Sequence, residues 1–415
     1  MSKIVLPIVI ILTISIVILS CGDDEPTAPQ VTAPEVLSIS PITGTIGSSI
    51  ALTITGIGFT ETIVTSDDDD LVLNDTQLSD TEIIVTATIS VNAFSKTVFL
   101  ILTNTEGTDS VSFSLVPASL AGLVWSTVQD IPTPRSGLSV VAVDEKIYAI
   151  GGVNASDSIV ATMEIFDPST NTWTTGADMP AAVAFTASAV IDGKIYIAGG
   201  FNWITTFSTL NEYDPSTDTW TNLADMPRPR YAAGGAGFDG KFYVAGGVND
   251  FFIGDFLESY DVANSNWITL TRLPRVKALF GFVPTDDKIF AMGGEGENNP
   301  GANFYFNLAT ESWSTSTELP TPRISPMADN FLGNVIVIGG RTADNTTEHT
   351  ILVLTSTVES LNPSTNSWST LTDIPDTRDR GGVAVIRDKI YIVGGRNRID
   401  RDHIPSASTL VGEIP

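Results

Sequence analysis

The sequence predicts an all-β protein in which a small β-sandwich precedes a six-bladed β-propeller. Six tryptophans each have a proline seven residues later and a Gly-Gly doublet that begins 26 residues later. These tryptophans recur every 46 to 48 residues, with one interval of 55, which is the spacing of four-stranded propeller blades. Before the first of them, five short runs alternate apolar and polar residues, as half-buried strands do. The six are Trp125, Trp173, Trp220, Trp267, Trp313 and Trp368.

The repeat also carries recognisable residues. In one copy, Glu-Tyr-Asp-Pro-Ser-Thr-Asp-Thr-Trp at 212–220 is followed by Met-Pro-Arg at 226–228, and a Gly-Gly doublet precedes them at 199–200. This pattern resembles the kelch repeat, and the resemblance covers 122–415. It implies a propeller fold and leaves the function open.

The two ends of the repeat region complement each other. Trp125 has no sheet before it, whereas the last copy, from Gly381 to Pro415, has its Gly-Gly but no following tryptophan. We therefore expect the strand around Trp125 to close the ring as the outermost strand of the last blade, which leaves no free outer edge there. The propeller domain is assigned to 119–415.

The N-terminus is predicted to carry a lipid. An apolar run from Ile4 to Leu19 is short for a membrane span and suits a signal-peptide core. Cys21, the only cysteine, follows this run in a way that resembles the lipobox of bacterial lipoproteins, where this residue is lipidated and becomes the mature N-terminus. Residues 1–20 are then the signal peptide and the Pro-containing stretch 21–34 a tether; an uncleaved anchor is the alternative. The acidic residues 22–25 look like the signal that sends some lipoproteins to the outer cell surface.

Residues 35–118 are predicted to form the sandwich. Strands are expected at 36–39, 50–54, 83–89, 98–102 and 111–115. The run from Ser40-Pro41 through Gly56 to Phe59, followed late by Asn104-Thr-Glu-Gly, resembles the IPT/TIG immunoglobulin-like domain, which implies a spacer or binding module. Asp67 to Asp70 could ligate calcium, but a solvated acidic loop is the simpler interpretation because no calcium-loop motif surrounds them.

Composition restricts the partners. The formal net charge is −27, so nucleic acid and an anionic membrane surface would both be repelled. The only membrane contact expected is therefore the lipid anchor, in the outer membrane and facing either the periplasm or the outside. A single cysteine excludes disulfides. We expect a monomer without a cofactor.

Because the repeat is so regular, function is sought where copies differ. All length variation falls in the loops after each Gly-Gly, and antiparallel strands place these loops on the same face as the connections between blades. This face is predicted to bind the ligand. The candidate ligand-binding residues are a basic residue ten positions after most tryptophans, two neighbouring arginines and two off-register aromatics: Arg135, Arg230, Lys277, Arg323, Arg378, Arg380, Arg396, Trp203 and Phe251.

A basic ring in an acidic protein suits a carboxylated sugar or an acidic peptide, although a residue that recurs in every blade can equally be part of the scaffold. The exposed aromatics suit sugar stacking or a protein contact. The sequence therefore predicts a lipid-anchored surface protein that binds a glycan or protein ligand with the loop-rich face.

An enzymatic alternative rests on a second resemblance. Six-bladed kelch sialic-acid epimerases operate on a carboxylated sugar, and under this alternative the arginines would hold the carboxylate while Glu295 or Glu297 served as acid and base. The two histidines, His349 and His403, lie in different loops and make a poor metal site. No catalytic or metal-binding residue is therefore assigned.

Overall fold

The computed structural model describes residues 31–90, 93, 96–116, 118–249, 252–296, 299–344, 351–399 and 402–414. Every regular element in these ranges is a β-strand, which confirms the all-β prediction. Cys21, with the predicted signal peptide and most of the tether, lies outside them, as do Phe251, Glu297 and His349. Across the ranges given above, no helix is long and apolar enough to cross a membrane.

The N-terminal region contains eight strands. They are β1 (Glu35–Ser40), β2 (Thr43–Thr45), β3 (Ser49–Ile57), β4 (Ile63–Ser66), β5 (Leu71–Leu78), β6 (Glu82–Ile89), β7 (Lys96–Thr103) and β8 (Thr108–Val116). The five predicted strands correspond to β1, β3, β6, β7 and β8. The strands β2 and β4 were missed because they have only three and four residues, and β5 because its apolar residues at 71–73 are consecutive and do not alternate with polar ones.

These strands form two sheets with the orders β1-β3-β6-β5 and β2-β8-β7-β4. Both sheets contribute to one hydrophobic core, in which Leu52 and Ile54 of the first sheet are buried together with Leu100 and Phe113 of the second. The end of the predicted tether packs on this unit, since the Asn104 side-chain amide donates to the Thr32 carbonyl at 2.8 Å. The acidic residues 67–70 form the turn between β4 and β5.

The strands of the repeat region are, in chain order, β9 (Val124–Val128), β10 (Arg135–Ser136), β11 (Ser139–Val143), β12 (Lys146–Ile150), β13 (Val153–Asn154), β14 (Met163–Asp167), β15 (Thr172–Thr175), β16 (Ala187–Ile191), β17 (Lys194–Ala198), β18 (Leu210–Asp214), β19 (Thr219–Asn222), β20 (Gly234–Phe238), β21 (Lys241–Ala245), β22 (Leu257–Asp261), β23 (Asn266–Thr269), β24 (Gly281–Pro284), β25 (Lys288–Met292), β26 (Phe304–Asn307), β27 (Ser312–Thr315), β28 (Met327–Phe331), β29 (Asn334–Ile338), β30 (Arg341–Asp344), β31 (Ile351–Leu354), β32 (Val358–Asn362), β33 (Ser367–Thr370), β34 (Gly382–Ile386), β35 (Lys389–Val393), β36 (Arg396–Ile399), β37 (Asp402–Pro405) and β38 (Thr409–Glu413).

Six four-stranded antiparallel sheets result. Sheets 1 to 6 are β11-β12-β14-β15, β16-β17-β18-β19, β20-β21-β22-β23, β24-β25-β26-β27, β28-β29-β32-β33 and β34-β35-β38-β9. The first strand of each sheet contacts the first strand of the next, and β34 contacts β11, so the six inner strands form a closed ring. The last sheet takes β9 as its outermost strand, with Gly412 opposite Trp125, as the complementary ends of the repeat region predicted.

The repeated tryptophans join neighbouring sheets. Each indole N–H donates to the backbone carbonyl of the residue four positions after the preceding tryptophan, as Trp173 does to Gln129 at 2.9 Å. The same bond occurs at Trp220, Trp267, Trp313 and Trp368. Trp125 donates to Thr372 at 2.9 Å and thereby connects the first repeat to the last. The tryptophan spacing therefore reflects one hydrogen bond repeated around the ring.

Candidate ligand-binding site on the loop face

One face of the ring, here called the loop face, carries both the connections between sheets and the loops after each Gly-Gly doublet. Single bridges pair the two kinds of loop, for example Ala184 with Phe201, Ile324 with Arg341 and Asp379 with Arg396. The longest loops add the hairpins β30–β31 and β36–β37 on this face. The opposite face, here called the turn face, has tight turns such as Asp192-Gly193, where both residues have positive φ as a two-residue hairpin requires.

A ring of six backbone positions surrounds the mouth of the central channel at the loop face. All six residues have φ between 51° and 61°, although only one is glycine. Their peptide groups bond from sheet to sheet: Phe185 N–H donates to the Gly137 carbonyl at 2.8 Å, and Gly137 N–H to the Arg380 carbonyl at 2.8 Å. A strained backbone of this kind persists only where its surroundings hold it. The six residues, here called the mouth ring, are Gly137, Phe185, Ala232, Leu279, Ser325 and Arg380.

The five repeated basic residues do not line this mouth, so their prediction as ligand-binding residues is wrong. The structure buries all of them inside the sheets, with 0% exposure for Arg135, Arg323 and Arg378 and 3% for Arg230 and Lys277. Their side chains turn away from the loop face and hold the base of the loop that follows each Gly-Gly. The scaffold interpretation of the repeated position is the one that the contacts support.

Arg135 shows how this position works. Its guanidinium donates to the carbonyls of Gly151 at 3.0 Å and Thr162 at 2.6 Å, and to the Glu164 carboxylate at 2.8 Å. Glu164 is itself buried. Burial lowers the pKa of Arg135 more than Glu164 raises it, so desolvation is the larger effect. The pair is a hydrogen-bonded buried ion pair with no charge left for a ligand.

The strand position of Glu164 holds a glutamate where the repeated basic residue is Arg230 or Arg323, and another residue where the basic residue is replaced. Arg230 and Arg323 pair with Glu258 and Glu359, which occupy the strand position of Glu164. In sheet 4, Phe304 occupies that position, and the Lys277 ammonium lies 5.6 Å from its ring centroid.

Without a carboxylate partner, burial lowers the pKa of Lys277 to about 8. In sheet 2, Val183 replaces the basic residue and Asn211 replaces the acid.

A different set of arginines reaches the loop face. Asp379 is fully buried, and its carboxylate lies 3.0 Å from Arg341 Nε, 3.0 Å from Arg396 Nη2 and 3.7 Å from Arg380 Nε. The side chains of Arg341, Arg380 and Arg396 are 17%, 24% and 16% exposed. Three guanidinium groups therefore share one carboxylate, which leaves two positive charges at the surface. We call these four residues the arginine cluster.

Arg380 links the arginine cluster to the mouth ring. Its guanidinium carbon lies 5.3 Å from the centroid of the Phe185 ring, and both residues line a cavity of about 150 Å³ at the channel mouth. Burial, with the nearby Arg396, lowers the pKa of Arg380 to about 10, while Asp379 and Glu295 act in the opposite direction. The Nε atoms of Arg380 and Arg341 are buried and make no hydrogen bond within the described residues. The exposed parts of the three guanidinium groups thus leave positive charge available for an anion.

Aromatic side chains occupy another part of the loop face. Trp203 is 55% exposed and packs edge-on against Phe201, which stacks on Tyr231 of the next sheet with centroids 5.0 Å apart. Phe252 is 56% exposed. The exposure of Trp203 agrees with its prediction, and a ligand role for Phe251 lies outside the described residues.

Sequence reasoning identified Arg380 and Arg396 as candidate residues but did not identify Asp379, Arg341 or the other five residues of the mouth ring. The available signal for the cluster was the run Arg378-Asp379-Arg380, since no other connection between sheets carries three consecutive charges. Among the described residues, no group of three or more His, Cys, Asp or Glu side chains is placed to hold a metal ion.

Comparisons with known proteins agree with this architecture. Residues 103–294 match the family model described as the KLHDC2/KLHL20/DRC7 Kelch-repeats domain. The kelch-like protein terF of Aspergillus terreus (strain NIH 2624 / FGSC A1156) is 31% identical over 100 residues, which are 24% of this chain and 22% of that protein. The match thus spans about a fifth of that relative's length.

The solved structure of YjhT is similar at a TM-score of 0.60, over 69% of this chain and 97% of YjhT. The sequence identity is 19%, so this likeness concerns the fold alone. Together the comparisons show that the chain contains a kelch-repeat domain.

Proposed function

We propose that this kelch-repeat protein is a lipid-anchored bacterial surface protein that binds an acidic ligand, either a carboxylated glycan or an acidic protein segment, with its loop face. In this proposal a lipid on Cys21 anchors the chain in the outer membrane. An IPT/TIG domain made of β1 to β8 serves as the spacer. A six-bladed propeller then presents the binding surface.

The observation that carries the proposal is the arginine cluster beside the mouth cavity. Three partly exposed guanidinium groups around the single carboxylate of Asp379 leave a local excess of positive charge in a chain of net charge −27. A ligand carboxylate could accept bidentate hydrogen bonds from Arg380 or Arg396. The exposed ring of Trp203 offers an apolar contact on the same face.

A binding screen with the full-length chain tests the proposal. The probes are a glycan array that contains matched neutral and carboxylated sugars, and a set of acidic and neutral peptides. We expect binding of acidic members only, weakened at least tenfold by Arg380→Ala or Arg396→Ala and reduced at higher ionic strength.

The matched control is Lys194→Ala on the turn face, because Lys194 is partly exposed and pairs with Glu212 at 2.6 Å. It should leave binding unchanged. Asp218 on that face is unsuitable, since its carboxylate accepts from Ala177 N–H and the Tyr213 hydroxyl at 2.7 Å and so supports the fold. Loss of binding in Lys194→Ala with full binding in both arginine variants would contradict the assignment.

One observation favours a second candidate, a sugar epimerase or mutarotase. Glu295 is exposed on the loop next to the mouth ring, and its charge acts to raise the pKa of Arg380. An acid–base group would then lie near a group that can hold a sugar carboxylate. An NMR assay of sugar mutarotation separates the candidates: turnover that Glu295→Gln abolishes would indicate the enzyme, and binding without turnover would indicate the binding protein.

A further inference from the structure

The central channel continues from the mouth ring towards the turn face and widens into a cavity of about 300 Å³. The inner strands of all six sheets line it. These strands are the free edges of their sheets, so backbone carbonyl and N–H groups without a sheet partner face the channel. Among the described residues that line this cavity, Asp329 is the only charged one.

Asp329 departs from the repeat. Strand register places it at the position that Val141, Ala189, Ala236, Val283 and Ala384 occupy in the other sheets. The residue directly opposite differs as well, because Ile336 replaces an aromatic ring there. The aromatic residues at that position are Tyr148, Tyr196, Tyr243, Phe290 and Tyr391. Sheet 5 therefore has a carboxylate where the other sheets have an aliphatic side chain, and an isoleucine opposite it where they have an aromatic ring.

This carboxylate has no counter-ion among the described residues. Within the part of the chain that the structure describes, it accepts one hydrogen bond, from the backbone N–H of Asn330 at 2.8 Å. The side chains that sheet 6 contributes to the cavity are those of Val383, Ala384 and Val385, which are all uncharged. Burial raises the pKa of Asp329 to about 7. Asp329 is partly exposed to the channel, so its ionised carboxylate is incompletely solvated and would be stabilised by a cation beside it.

We propose that Asp329 and the carbonyl groups of the channel edges bind a hard divalent cation such as Ca²⁺. Such ions prefer carboxylate, carbonyl and water oxygens, and a 300 Å³ cavity leaves room for several waters. One carboxylate implies weak affinity, with a Kd of about 10⁻⁴ to 10⁻³ M as in extracellular calcium modules.

Thermal unfolding of the full-length chain at pH 8 tests this site. CaCl₂ at about ten times that Kd should raise the Tm of the propeller by roughly 2 °C over NaCl of equal ionic strength. Asp329→Asn should abolish the calcium shift. Because Asn removes an uncompensated charge, this variant should fold and melt above the calcium-free wild type. At pH 5 the wild type should lose the shift, since protons then compete for Asp329.

Asp286→Asn is the matched control. Asp286 lies in the turn after the inner strand of sheet 4, and burial raises its pKa to about 6. It does not line the cavity. This variant should keep the calcium shift. An equal shift in Asp329→Asn and wild type, or no shift in the wild type, would overturn the proposal, and loss of the shift only in Asp286→Asn would move the site to the turns.

Discussion

Two sets of arginines in this chain have the same chemistry and opposite surroundings. Arg135 and its repeats are buried, and where the sheet supplies a buried glutamate the guanidinium pairs with it. Glu258 also pairs with Arg228, which is partly exposed. Arg341, Arg380 and Arg396 remain partly exposed and share Asp379. The burial of the guanidinium group, rather than the presence of arginine, therefore separates the scaffold residues from the candidate site. Three predictions test it, from the largest expected effect to the smallest.

The largest effect is expected for Arg135→Met. This substitution leaves Glu164 buried with only the Thr133 hydroxyl, at 2.8 Å, as a remaining side-chain partner. Removing one member of a buried ion pair costs about 3–5 kcal/mol. Urea unfolding of the propeller, followed by tryptophan fluorescence, measures the loss.

Arg380→Met is the control for that variant and should change stability by less than about 1 kcal/mol, since its loss relieves crowding between like charges. A second control, Arg135→Met with Glu164→Leu, should recover most of the loss because no buried charge is left unpaired. Equal losses in Arg135→Met and Arg380→Met would remove the distinction between the two sets.

The tryptophans extend the comparison. Trp125→Ala removes the indole bond to Thr372 and a half-buried ring that packs in the core between sheets 5 and 6, so we expect a loss of about 2–3 kcal/mol. Trp203→Ala removes an exposed ring and should cost about 0.5 kcal/mol or less. Differential scanning calorimetry of both variants checks this difference. An unchanged Tm in Trp125→Ala would mean that β9 contributes little to closing the ring.

The smallest effect concerns Lys277, the scaffold cation without a carboxylate. Its folded-state pKa of about 8 lies below the ordinary 10.5, so the unfolded chain binds more protons between these values and stability rises with pH there. From pH 8 to 9.5 the gain should be about 1–2 kcal/mol. Urea unfolding at both pH values measures it against Lys277→Met, which should lack this gain. The same gain in both proteins would assign the pH dependence to other groups.

The sequence predicted the propeller well because its evidence is periodic. The spacing between successive tryptophans reflects a repeated hydrogen bond from each indole to the neighbouring sheet, and the incomplete first and last copies predict that β9 pairs within the last sheet, as it does with β38. Asp192 and Gly193 likewise favour the positive φ of a two-residue turn, whatever packs around them. The site was predicted only in part: Arg380 and Arg396 lie together on the loop face, whereas Arg135, Arg230, Lys277, Arg323 and Arg378 do not.

The sequence by itself determined the repeat of the sheets, how the ring closes and which face carries the variable loops, since these depend on local turn chemistry and on repeated spacing. Only the tertiary structure decided where each charged side chain points. Arg378 and Arg380 are two residues apart, yet one lies inside a sheet and the other at the mouth cavity, because position 380 has a left-handed backbone that turns its side chain towards the channel. Asp329 has a similar origin: its environment depends on which residue lies opposite it and on what the next sheet contributes, and neither is adjacent to it in the chain.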